Sequence, residues 1–96
     1  MITVQIKPSH TANKKLTAIF FKDGKQFKAV HFGDKRGSQY PTHRDEIKKQ
    51  NYIKRHKVRE DWEDPYSRGA LSRWILWNKP TLKASILDYK KRFNFK

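Results

Sequence analysis

The pair Asp23-Gly24 constrains this chain more than any other feature, because it lies between two apolar runs and favours the positive φ angles of a tight hairpin turn. Before it, residues 15–22 include Leu16, Ala18, Ile19, Phe20 and Phe21; after it, residues 26–32 return with Phe27, Ala29, Val30 and Phe32. With Asp23 and Gly24 as the loop residues, Phe20 faces Phe27, Ala18 faces Ala29 and Leu16 faces His31, and this set is the expected core face. Ile19, Phe21, Val30 and Phe32 then fall on the opposite side, so a helix or a partner is expected to cover part of it. Ahead of the hairpin, Ile2, Val4 and Ile6 alternate with Thr3, Gln5 and Lys7 up to Pro8, the pattern of a short third strand.

Past the hairpin the pattern turns helical. Gly33, Asp34, Lys35, Arg36, Gly37 and Ser38 read as a loop, and Thr42 and Asp45 have capping-box spacing for a helix over 43–57. Asp64-Pro65 suits the start of a second helix over about 66–77, whose Ala70, Leu71, Trp74, Ile75, Leu76 and Trp77 surround most of its circumference and call for burial. After the break at Asn78, Lys79, Pro80 and Thr81, Leu82, Ile86, Tyr89 and Phe93 recur on one arc of a third helix. The chain of 96 residues is the size of one domain. The expectation is a single basic α+β domain over 1–96: a three-stranded antiparallel sheet, with its hairpin around Asp23-Gly24, followed by three helices. Only 35% of the residues are hydrophobic, but three Trp, four Tyr and six Phe bring enough apolar area for one modest core.

Charge points to the partner. Lys and Arg number 23 against nine Asp and Glu, a formal +14 that repels itself unless a partner supplies counter-charge. Phosphate backbones fit best, since each cation that displaces a condensed counterion favours binding without reading sequence. The first expected helix concentrates this charge: Arg44, Lys48, Arg55 and Arg59 fall in a narrow arc if the helix persists, flanked by Lys49, Lys54 and Lys57. These residues, with Lys35 and Arg36 in the preceding glycine-bounded loop, are the candidate nucleic-acid contacts; a solvated helix face is the plainer reading of the same stripe. The loop itself has neither the Walker spacing nor the dinucleotide fingerprint.

Several chemistries find little support. Without cysteine there is no disulfide, thiolate zinc site or thiol nucleophile. His10, His31, His43 and His56 include no His-x-x-x-His pair, so no metal and no cofactor is expected. His31 is expected in the sheet beside Leu16, and His43 and His56 as supplementary phosphate contacts. Glu60, Asp61, Glu63 and Asp64 invite comparison with a magnesium site, but consecutive carboxylates diverge and Asp64 is better explained as a helix start. No catalytic role is assigned. Trp62, Trp74 and Trp77 are candidates for stacking on bases; core packing is the better reading of Trp74 and Trp77, and Trp62, set between acids, is the one expected to be partly exposed. The N-terminus lacks the apolar stretch of a signal peptide and no run reaches membrane-spanning length, so neither secretion nor a membrane partner is expected.

The segments Lys14-Lys15-Leu16 through Lys22-Asp23-Gly24-Lys25, His31-Phe32-Gly33, Tyr52-Ile53-Lys54-Arg55-His56, Asp61-Trp62 and Ser72-Arg73-Trp74-Ile75-Leu76-Trp77-Asn78-Lys79-Pro80-Thr81-Leu82 together resemble an uncharacterised family of small basic proteins encoded by large double-stranded DNA viruses of algae and protists. The run from Trp74 to Leu82 is the most specific part, and residues 36–41 depart from the pattern. The resemblance implies a viral setting, in the particle or the infected cell, and carries no activity, cofactor or site residue with it. Two functions follow as expectations: non-enzymatic, largely sequence-independent nucleic-acid binding or packaging, or a minor capsid or scaffold protein whose basic surface docks on acidic virion proteins. Oligomeric state is left open.

Overall fold

The structure is a computed structural model and describes residues 1–34 and 45–96. Strands β1 (Ile2–Pro8), β2 (Lys14–Lys22) and β3 (Lys25–Asp34) form an antiparallel sheet in the order β1-β2-β3. Helix α1 (Glu46–His56) follows, then α2 (Arg68–Leu71), which widens into a π-helical turn over Ser72–Leu76, and finally α3 (Leu82–Arg92). The α+β arrangement expected from the sequence, three strands then three helices, is the one found.

The hairpin turns at Asp23 and Gly24, both with positive φ, and Lys22 pairs with Lys25 as a two-residue loop requires. The expected cross-strand pairs nevertheless fail beyond Phe21. Phe21 pairs with Gln26 but Phe20 pairs with Lys28, so β3 carries one extra residue, Phe27, in a bulge. The slip reverses the face of everything downstream: Ala18 pairs with Val30 and Leu16 with Phe32, and Val30 and Phe32 join the core rather than the opposite side. Ala29 is exposed and His31 lies across from Thr17 on the outer face, with Ser9 Oγ and Thr17 Oγ1 at 2.9 and 2.8 Å from its Nδ1. The reason is parity. Phe27 is odd while Val30 and Phe32 are even, and only an inserted residue lets all three serve one side; the Phe27 ring still reaches Phe20 and Tyr66, at 6.3 and 6.0 Å between centroids.

The core lies between this face and the helices. Val4, Ala18, Phe20, Val30 and Phe32 from the sheet meet Leu71, Ile75, Leu76 and Tyr89, with Leu82, Ile86, Phe93 and Phe95 packed around them. Tyr89 is fully buried and donates its hydroxyl to the Pro65 carbonyl at 2.6 Å, the partner a buried phenol requires. Gly33, with φ of +81°, passes so close to Leu76 that a Cβ would lie 2.7 Å from its Cδ1. The close approach of strand end and π turn depends on that missing side chain.

The helix ends differ from expectation in instructive ways. α1 begins at Glu46 with Asp45 as its cap, accepting from the backbone N–H groups of Ile47 and Lys48; the expected cap at Thr42 lies outside the described residues. α2 is capped by Ser67, which accepts from Ala70 N, while Asp64 accepts from Tyr66 N in the turn just before. α3 is capped by Thr81, which accepts from Ala84 N, and ends in a Schellman motif: Asn94, at φ 58°, lets Phe95 N reach Lys90 O at 2.8 Å and Asn94 N reach Lys91 O at 3.4 Å. The turn delivers Lys96 to the edge of β1, where it exchanges hydrogen bonds with Ile2 and Val4. Among the described residues no helix is long and apolar enough to cross a membrane.

Candidate nucleic-acid interface

Helix α1 is polar almost all round. Tyr52 is its one buried residue, and Ile47 is exposed. The helix is attached to the rest of the protein through a ring stack: Tyr52 lies on Trp77 with centroids 4.5 Å apart and planes within 6°, and His56 covers the other side of Tyr52 at 4.1 Å. His56 Nδ1 donates to the Tyr52 carbonyl at 2.9 Å, which leaves Nε2 as the acceptor of the neutral ring. Burial pushes the Tyr52 phenol well above its ordinary pKa, with the Glu60 carboxylate adding to the effect against Arg73 and a hydrogen bond from Ser72.

Trp77 takes this position because of the π turn. Its N–H bonds to Ser72 O, five residues back, and the wider turn sends Trp74 and Trp77 to different neighbours. Trp74 packs edge-on against Trp62 and donates to the Trp62 carbonyl at 2.9 Å, with the guanidiniums of Arg73 and Arg92 over its ring at 4.4 and 3.7 Å. Arg73 also donates to the Trp77 carbonyl at 2.6 Å, while its buried Nε finds no partner among the described residues. Burial and the neighbouring Arg92 lower the Arg73 pKa. All three tryptophans are half-buried.

Two concave spaces meet at Trp77 and Arg55. A groove of about 580 Å³ runs along α1, lined by Lys48, Asn51, Lys54, Arg55 and Trp77. A cleft of about 550 Å³ opens between the helices and the far end of the hairpin, where β2 begins and β3 ends. Its basic wall is Lys14, Lys15, Arg55, His56 and Arg68, its aromatic floor Phe32, Tyr52 and Trp77, and it holds two carboxylates, Asp34 and Glu60. Glu60 accepts from Trp62 Nε1 at 3.1 Å and rests directly over Gly69, where any side chain would collide with its carboxylate.

Of the expected contacts, the structure brings Lys48, Lys54 and Arg55 to one groove, all exposed and without a carboxylate partner among the described residues. Lys49 is half-buried beside them and engaged elsewhere. The helix ends at His56, so Lys57 and Arg59 belong to the turn that follows and do not extend the stripe. Lys35, Arg36 and Arg44, with His43, lie outside the described residues. The acids after the helix serve the backbone: Asp61 accepts from Glu63 N and Asp64 from Tyr66 N. Among the described residues no three His, Asp or Glu side chains converge as metal ligands would.

A family model described as a family of unknown function (DUF5754) matches residues 4–56, more than half of the chain. The chain belongs to this family. The DUF5754 match takes in the whole hairpin and ends at His56, where α1 ends, so it contains the groove cations but stops short of Glu60, Arg68 and the Trp74 to Leu82 run. No curated protein and no solved structure matches the chain.

Sequence reasoning overlooked Lys14, Lys15, Arg68, Glu60 and Gly69 as parts of one site, and it took Trp77 for core. A lysine pair at a strand start carries no signal of what it will face. Trp77 had one: an unbroken apolar run Trp74-Ile75-Leu76-Trp77 offers more large side chains than one buried stripe can absorb, so one of them had to come toward the surface.

Proposed function

We propose that this chain is a non-enzymatic, largely sequence-independent nucleic-acid-binding protein that holds the phosphate backbone along helix α1. The observation that carries this reading is the convergence of Lys48, Lys54 and Arg55 on one open groove whose described lining contains no carboxylate. The formal charge of +14 adds attraction at longer range. Phosphates spaced along a backbone match cations fixed on a helix, and such contacts position a protein without reading bases. The sequence resemblance supports a place for this activity in the packaging of a large viral DNA genome.

The test is binding to labelled duplex DNA over a range of salt. With about four to six phosphates engaged, log K falls against log salt with a slope of about −4 to −5, and affinity varies little with sequence. Replacing Lys48 and Arg55 together by Ala weakens binding to all sequences alike and makes the slope shallower by about 2, with the fold intact because both side chains are exposed. A double variant that binds DNA like its parent, but no longer binds an acidic virion protein, would replace this reading with capsid docking.

A further inference from the structure

The groove and the cleft differ in a way that separates the parts of a nucleic acid. The groove offers cations and one amide, Asn51, and no carboxylate among its described lining. The cleft holds Glu60 and Asp34 over an aromatic floor. Both spaces carry cations, but only the cleft sets carboxylates among them, and a carboxylate accepts from the exocyclic amine or ring N–H of a base, so the groove suits backbone alone and the cleft can also take a base. The Glu60 carboxylate accepts from Trp62 Nε1 and sits where Gly69 leaves room for it. At about 550 Å³ the cleft is the size of a small-ligand pocket, and a base stacked inside a duplex cannot enter it.

We propose that this face takes single-stranded nucleic acid, the strand running its phosphates past Lys48, Lys54 and Arg55 while an unpaired base enters the cleft against Trp77. The inference rests on the nucleic-acid reading above and narrows it. Arg55 and Trp77 line both spaces, so one strand passes from groove to cleft without leaving the surface. Trp77 is held in place before any ligand arrives by its stack on Tyr52, itself backed by His56. A fixed aromatic beside a basic track is how proteins bind single strands with little regard to sequence, because every base has a π face.

The experiment compares the full chain's affinity for fluorescent oligothymidylate and for a duplex of equal length at one salt concentration. The single strand is expected to bind about ten-fold tighter, and Trp77→Leu to lose about that factor on the single strand while changing duplex affinity less than about two-fold. Because Trp77→Leu disturbs the Tyr52 stack and can unfold the protein, the unaltered chain is also photocrosslinked to 5-bromouracil oligonucleotide and the adduct mapped by mass spectrometry, with Trp77 the expected site. Equal affinity for the two forms, or crosslinks confined to residues outside the cleft, overturns the single-strand inference and leaves phosphate binding standing. Absence of binding to either form overturns both.

Discussion

Gly33 and Gly24 share a φ of +81° but not a neighbourhood, and the contrast separates two costs. A Cβ at Gly24 meets nothing within 4 Å, whereas one at Gly33 meets Leu76 Cδ1 at 2.7 Å inside the core. Gly24→Ala is expected to cost about 1–2 kcal/mol, the penalty of the left-handed region alone. Gly33→Ala adds overpacking and is expected to cost about 2–4 kcal/mol, read as a larger drop in the urea midpoint. The sequence marked Gly24 plainly, through Asp23 beside it; Gly33 looked like the start of a loop, because its reason lies 43 positions away in Leu76. The buried phenols set a pH limit. Burial raises the pKa of Tyr89 and of Tyr52 above the ordinary value near 10, so above that pH the unfolded chain loses protons that the folded chain keeps. Stability is therefore full below about pH 10 and falls as pH rises beyond it. Tyr89→Phe should flatten that alkaline decline in a series of urea titrations, while losing about 1 kcal/mol at neutral pH with the bond to Pro65. An unchanged alkaline decline would mean that Tyr89 is not the group responsible.

Among the elements, the bulged strand is the most informative. Strand positions and the turn were legible in the apolar runs and in Asp23-Gly24, but the pairing of β2 with β3 was not, because strict alternation assumes equal numbers of residues on both sides. The mixed parity of Phe27 against Val30 and Phe32 was the available sign. Two changes at this position should behave very differently. Phe27→Ala keeps the register and removes only a half-exposed ring that meets Phe20 and Tyr66, for about 1 kcal/mol. Deleting Phe27 removes the bulge and turns Val30 and Phe32 away from the core, so the product should lack a cooperative urea transition; a stable, cooperative deletion variant would show that the bulge does not set the register. The helices teach a similar lesson. The arc of Leu82, Ile86, Tyr89 and Phe93 identified α3, whereas the π turn went unseen because five residues of i→i+5 bonding leave no period to detect.

At the scale of the whole molecule, fold class and element order follow from runs and periods within the chain, but the candidate site does not. It gathers residues from the start of β2, the end of β3, α1 and the turn after it, α2 and the π turn, and nothing local to Lys14, Gly69 or Trp77 announces the others. Only the α1 cations, dense in one segment, were visible beforehand, and even they appeared longer as a stripe than the helix that ends at His56 allows. The anchoring of α1 also bears on how the protein opens. Among the described residues α1 buries a single side chain, Tyr52, and a stack of rings is its main anchor, while the sheet, α2 and α3 share the core. It should therefore detach and re-dock many times before the body of the protein unfolds once. In deuterated water its amides are expected to exchange about ten-fold or more faster than those of β2, with a dependence on urea much weaker than that of the global transition. A polyanion that grips this helix would slow the same amides selectively, so exchange rates along α1 report occupancy of the basic face without a label on either partner.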